Sequence, residues 1–143
     1  IDILLYYLMT SGDMMKKHVT VRQKNCTDQS RCVLHDGVFE YTCEKDQITL
    51  SYREKEGGEV VLKADAKELM IFRKGDVTSR LRFRRDTNTT ATITSPYGSF
   101  EIALYTYFYR ISEQMIVVEY DVLSDMREKT RLRFSWHIKG ACS

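Results

Sequence analysis

The chain has 143 residues, 43% of them hydrophobic and 29% charged, and its 22 basic and 20 acidic side chains leave a formal net charge of +2. That length fits one domain, which buries roughly two-thirds of its unfolded surface and needs no disulfides to fold. Seven glycines and one proline exclude collagen-like and Pro/Gly-rich disordered chains. No apolar run nears the ~20 residues of a membrane helix, and the charge balance excludes a globally basic nucleic-acid binder.

The chain opens on the apolar block Ile1-Asp-Ile-Leu-Leu-Tyr-Tyr-Leu-Met9, which lacks the basic stretch of a signal peptide and is too short to span a bilayer. Met14-Met15-Lys16-Lys17 reads like a natural start. Residues 1–15 are therefore expected to be an N-terminal extension, 16–140 a single domain and 141–143 a tail. The rival expectation for the first block is a short helix covering an apolar surface, because bulky apolar side chains left bare promote association.

From Lys17 onward the chain alternates with period two, the mark of strands with one buried face. Strands are expected at 18–24 and 37–44. Residues 47–54 set Ile48, Leu50 and Tyr52 against Thr49, Ser51 and Arg53. Strands at 59–64 and 69–74 follow, although the run from Ala64 to Met70 is equally able to start a helix. Residues 77–84 set Val77, Leu81 and Phe83 against Thr78, Arg80 and Arg82. Residues 88–94 and 99–109 are rich in threonine, tyrosine and phenylalanine, as strands prefer. In 114–122 Ile116, Val118, Tyr120 and Val122 form one face, and in 129–139 Leu132, Phe134, Trp136 and Ile138 oppose Arg131, Arg133, Ser135 and His137. Turn signals separate them at Lys45-Asp46, Gly57-Gly58, Gly75-Asp76, Asp86-Thr87-Asn88, Pro96-Tyr97-Gly98 and Ser124-Asp125. An all-β antiparallel meander follows. Closing it into a barrel of about eight to ten strands removes edges that would otherwise pair with other chains. A sandwich is the alternative, but its crossings need longer connections.

Several of these stretches resemble the YwiB-like family of small uncharacterised proteins from Gram-positive bacteria. They are Gly37-Val-Phe-Glu-Tyr41, Ile48-Thr-Leu-Ser-Tyr52, Arg73-Lys-Gly75-Asp-Val77, Ser95-Pro-Tyr-Gly-Ser-Phe-Glu-Ile-Ala-Leu-Tyr-Thr106 and Ile116-Val-Val-Glu-Tyr120. The resemblance runs from Lys16 to Gly140 and leaves the N-terminal block outside. It implies a lipocalin-like (calycin) β-barrel and no established activity.

The chemistry is sparse. Cys26, Cys32, Cys43 and Cys142 have no C-x-x-C spacing, and His18, His35 and His137 are scattered, so no metal site or cofactor is expected. Without an export signal the cysteines read as reduced thiols in a cytoplasmic protein, with no disulfides. No serine sits in a nucleophile elbow and no glycine-rich loop cradles phosphate, so the chain is not expected to be an enzyme. Residues 73–86 carry six basic and two acidic side chains. Arg80, Arg82 and Arg84 alternate with Leu81 and Phe83 and should point to solvent. No carboxylate is expected in their own hairpin, and Glu40 or Glu44 would have to serve. Arg131 and Arg133 are expected to face Asp121 and Glu119 across the last hairpin.

Arg73 depends on register. A three-residue loop at 74–76 puts it on the core side with Leu69, Ile71, Leu81 and Phe83, whereas a two-residue turn at Gly75-Asp76 points it outward. A buried guanidinium would require a carboxylate or an anionic ligand. Tyr52, Phe83, Tyr120, Phe134 and Trp136 fall on apolar faces, and Tyr105, Tyr107 and Tyr109 alternate with Leu104 and Phe108. These aromatics either line a pocket or fill a core. The expected function is binding of a small, mainly apolar, fatty-acid-like ligand inside the barrel. Arg73, Tyr52, Phe83, Tyr120, Phe134 and Trp136 would line that site. The competing expectation is an interaction module with a filled interior. No nucleic-acid partner is expected.

Overall fold

The structure, a computed structural model, describes residues 14–54, 57–123 and 129–139. Ten strands follow one another: β1 (Met15–Asn25), β2 (Arg31–Glu44), β3 (Gln47–Arg53), β4 (Glu59–Ala64), β5 (Glu68–Lys74), β6 (Thr78–Arg84), β7 (Thr87–Ser95), β8 (Gly98–Ile111), β9 (Met115–Leu123) and β10 (Lys129–Lys139). Each is antiparallel to its predecessor, and β10 returns to pair with β1 from His18↔Lys139 to Asn25↔Leu132. The sheet is thus a closed up-and-down barrel, with more strands than a lipocalin has. Among the described residues no helix is long and apolar enough to cross a membrane.

Local chemistry explains the turns. Lys45 and Asp46 both take positive φ, as a two-residue hairpin whose twist matches its strands requires. The stretch from Ala64 to Met70, open to a helix by sequence, is instead strand–turn–strand. Asp65 Oδ1 accepts from the backbone N–H groups of Lys67 and Glu68 at 2.8 and 2.9 Å, which stabilises the reversal. β1 begins at Met15, opposite Tyr41, one residue before the expected domain start. The expected N-terminal block at 1–13, the Ser124-Asp125 turn, Cys142 and the tail at 141–143 lie outside the described residues. Cys26, Cys32 and Cys43 are free.

Two bulges re-aim side chains. On β2 the register shifts between Val21↔His35 and Arg22↔Val33, so Leu34 is an extra residue, and β2 reaches back to Arg31 rather than Gly37. The broken alternation there hid the strand's first six residues. On β8 the register passes from Thr106↔Tyr120 to Phe108↔Glu119 and skips Tyr107. Leu104 and Thr106 point inward before the bulge, and Tyr109 points inward after it. The three tyrosines therefore do not share one face, contrary to the simple alternation. Tyr105 and Tyr107 pack edge to face on the outside, 4.9 Å between centroids. Tyr107 donates from its hydroxyl to Asp121 Oδ2, Arg131 Nε donates to Asp121 Oδ1 at 3.3 Å, and the Arg131 guanidinium lies 4.1 Å over the Tyr107 ring. Asp121 is buried beneath this pair.

The core follows the inward positions. Val19, Phe39, Leu50, Leu69, Phe83, Leu104, Ile116 and Val118 are all under 2% exposed. On the outer side of β3 and β4 the alternation does not mean exposure, because Thr49, Ser51 and Val61 are buried as well.

Replacing Phe83 by alanine is expected to cost about 3–5 kcal/mol through lost burial and a residual cavity. In urea unfolding this appears as a lower midpoint at unchanged slope, whereas Thr90→Ala on the exposed face of β7 moves it by less than ~0.5 kcal/mol. Asp121→Ala leaves Tyr107 and Arg131 without their acceptor. It is expected to cost about 1–3 kcal/mol in the same assay.

Candidate functional site

The barrel has two unlike ends. At one, the turns are Lys45-Asp46, residues 65–67, Arg85-Asp86 and residues 112–114, and the inward side chains near them include the buried Ile48, Ala64, Ile116 and Ile138, with Ile111 partly exposed and Cys43 exposed. At the other, where β3 leads to β4, β5 to β6 and β7 to β8, inward apolar side chains keep part of their surface open. They are Tyr52, Ile71, Leu81, Ile102, Val122, Leu132 and Phe134, all packed on the buried core from above. Registers place Ile71 opposite Leu81, and Leu132 opposite the buried Tyr120. This set of partly exposed apolar side chains, here termed the cup, stands on the buried core.

The residues expected to line a ligand site separate into two groups. Phe83, Tyr120, Phe134 and Trp136 form a continuous aromatic chain across β6, β9 and β10, with centroid separations of 4.7, 5.9 and 5.6 Å. Phe83, Tyr120 and Trp136 are buried in the core, and only Phe134 reaches the open region. Tyr52 belongs to a second cluster, 4.2 Å from Phe39 and 4.3 Å from His35. Sequence reasoning missed His35 at this rim. Its signal was the run His35, Gly37, Phe39, Tyr41 at period two, masked by the bulge at Leu34.

Arg73 adopts neither expected register. It faces Ser79, so the connection is the three residues 75–77, one position later than the core-side alternative. Parity still puts it on the face of Leu69 and Ile71, but at the mouth, with its side chain 49% exposed. Arg73 Nε donates to Glu54 Oε1 at 2.7 Å and Nη2 to Oε2 at 3.3 Å. The guanidinium is neither buried nor unpaired, so no anionic ligand is needed to compensate it. Arg80, Arg82 and Arg84 do point outward. Their expected carboxylates were wrong, since Arg82 pairs with Glu68 of its own hairpin at 2.7 Å. β5 begins one residue earlier than its alternation implied, which brings Glu68 into the strand. Arg131 and Arg133 do stand opposite Asp121 and Glu119, and the ion pair forms at Arg131–Asp121.

Polar atoms inside are few. Thr106, opposite Tyr120 below the cup, is fully buried, and its hydroxyl has no hydrogen-bond partner among the described residues. An unmade bond of this kind costs about 1–3 kcal/mol. Tyr109 donates to the Glu68 carbonyl at 3.2 Å and also to that of Asp65, tying β8 to the β4–β5 turn. A concavity of about 490 Å³ opens on the outer face of β1, β2, β9 and β10 rather than inside the barrel.

Burial pushes the Tyr52 hydroxyl up to about 12, with Glu54 adding to the rise and Arg73 opposing it. Burial and the neighbouring Cys43 push Tyr41 to about 12 as well, and burial raises Tyr109 and Tyr120. A tyrosine raised by folding stabilises the fold fully below its unfolded value of about 10, and that contribution is lost as pH climbs towards 12. In a spectrophotometric titration Tyr41, Tyr52, Tyr109 and Tyr120 should ionise only as the barrel unfolds, and their reversible ionisation near the ordinary value of about 10 with the fold intact would contradict their burial.

Similar proteins share this fold. The crystal structure of the ywiB protein from Bacillus subtilis matches with a TM-score of 0.70 at 15% sequence identity, covering 94% of this chain and 99% of that one. At that identity the likeness speaks for the barrel alone. No curated protein matches the chain. Residues 14–133, nearly the whole barrel, match the family described as a domain of unknown function, DUF1934, and the chain belongs to that family.

Proposed function

We propose that this barrel is a non-catalytic carrier or sensor that takes a small, mainly apolar ligand into the open end of its interior. The observation that supports it most directly is the set of inward apolar side chains that stay partly exposed above the buried core. Burying such surface yields roughly 25 cal/mol per Å², so an apolar molecule seated there gains affinity without rearranging the core. The unpaired Thr106 hydroxyl lies below this set. The pairing of Arg73 with Glu54 favours a neutral head group over a free carboxylate. A fatty acid would have to compete with Glu54 for the guanidinium.

Fluorescence of phenylnaphthylamine is expected to rise on adding the protein. Leu81→Trp, which fills the cup, is expected to weaken that binding about tenfold. Dodecanol should displace the probe at least as well as lauric acid does. Glu54→Gln, which frees Arg73, should reverse that order. A protein that binds neither probe nor alcohol has a filled interior and acts through its outer surface.

A further inference from the structure

The outer concavity of about 490 Å³ is lined by Arg22, Lys24, Arg31 and Arg133 over apolar ground that includes Val33 and Val117. Its charge comes from register. Lys24 stands directly opposite Arg31 on β2 and opposite Arg133 on β10, so three cations lie in one row across three strands. Neighbouring positions in such a row are ~4.5–5.5 Å apart between Cα atoms, and like charges so placed repel. Elsewhere four of the eight described arginines pair with carboxylates, as Arg53–Glu59, Arg73–Glu54, Arg82–Glu68 and Arg131–Asp121, while Arg80, Arg84, Arg85 and Arg110 stand singly rather than gathered in one groove. None of the four groove cations has such a partner among the described residues, and Glu119, opposite Arg133, forms no ion pair with it. Arg22 lies one row away, opposite Ser135.

We propose that this groove binds a compact small molecule bearing two or more phosphate groups, its phosphates held by Arg22, Lys24, Arg31 and Arg133 and its apolar part resting on Val33 and Val117. Four cations converging on one groove call for an anion carrying more than a single charge. The planar forks of three arginines match phosphate oxygens in pairs. The volume suits a small ligand. A nucleic-acid strand would want aromatic platforms for its bases, and among the described residues His137 is the groove's sole ring. This site is separate from the interior cup, and its test is independent of that reading.

Calorimetric titration of the full chain with inorganic pyrophosphate at physiological ionic strength is expected to show one site per chain. Lys24→Gln and Arg133→Gln should each weaken it about tenfold or more, whereas Arg84→Gln, an exposed cation on β6, should leave it unchanged. Lys24→Gln should also hold or raise the melting temperature, because it removes two like-charge neighbours. Absence of binding to the wild-type chain overturns the proposal. So does equal weakening by Arg84→Gln, which would mean diffuse surface charge. An oligothymidylate that binds more tightly than pyrophosphate and is lost with the same two variants also overturns it, and assigns the groove to nucleic acid.

Discussion

Everything in this molecule depends on the pairing of its first strand with its last. The eight register pairs from His18↔Lys139 to Asn25↔Leu132 turn an open ten-stranded meander into a ring, and a ring has no edge to offer another chain. They are also the most non-local contacts in the fold, so the entropy of closing nearly the whole chain is spent on them. Once β1 and β10 are joined, every inward side chain faces the same enclosed space. Period-two patterning in ten separate segments then becomes one core.

The closed ring determines where the chemistry can sit. Aromatics from β6, β9 and β10 meet as a continuous chain only because the sheet curves round on itself. Phe83, Tyr120 and Trp136 are buried in the core, and Phe134 reaches the partly exposed region above it. The same curvature turns the alternate positions outward, where the side chains fall in rows across strands. Some such rows balance their charges, as Arg131 and Asp121 do under the Tyr107 ring. The row Arg31, Lys24, Arg133 does not, and it lies along the seam that closes the barrel.

Much of this was legible in the residues. Strands at 59–64 and 129–139 coincide with β4 and β10 end to end, the first through its β-branched run Val60-Val61 after Gly57-Gly58 and the second through unbroken alternation. The failures share one cause. At Leu34 and at Tyr107 an extra residue breaks the period, hiding the start of β2 in one case and misplacing Tyr109 in the other. A bulge has no strong local signature, since its energetic reason is the twist of the paired strand. Arg73 shows the same weakness in a turn, where a shift of one position in the loop changes which residue it faces.

The sequence by itself determined an antiparallel meander of about eight to ten strands and the set of side chains able to form a core, because burying every second residue is a local and repeated demand. Tertiary structure alone decided which of those side chains are buried and which stay partly exposed, that Glu54 and Glu68 hold Arg73 and Arg82, and that Lys24 lies between two arginines. These outcomes depend on stagger between strands. Stagger is settled by the closure of the ring as a whole rather than by any one segment of it.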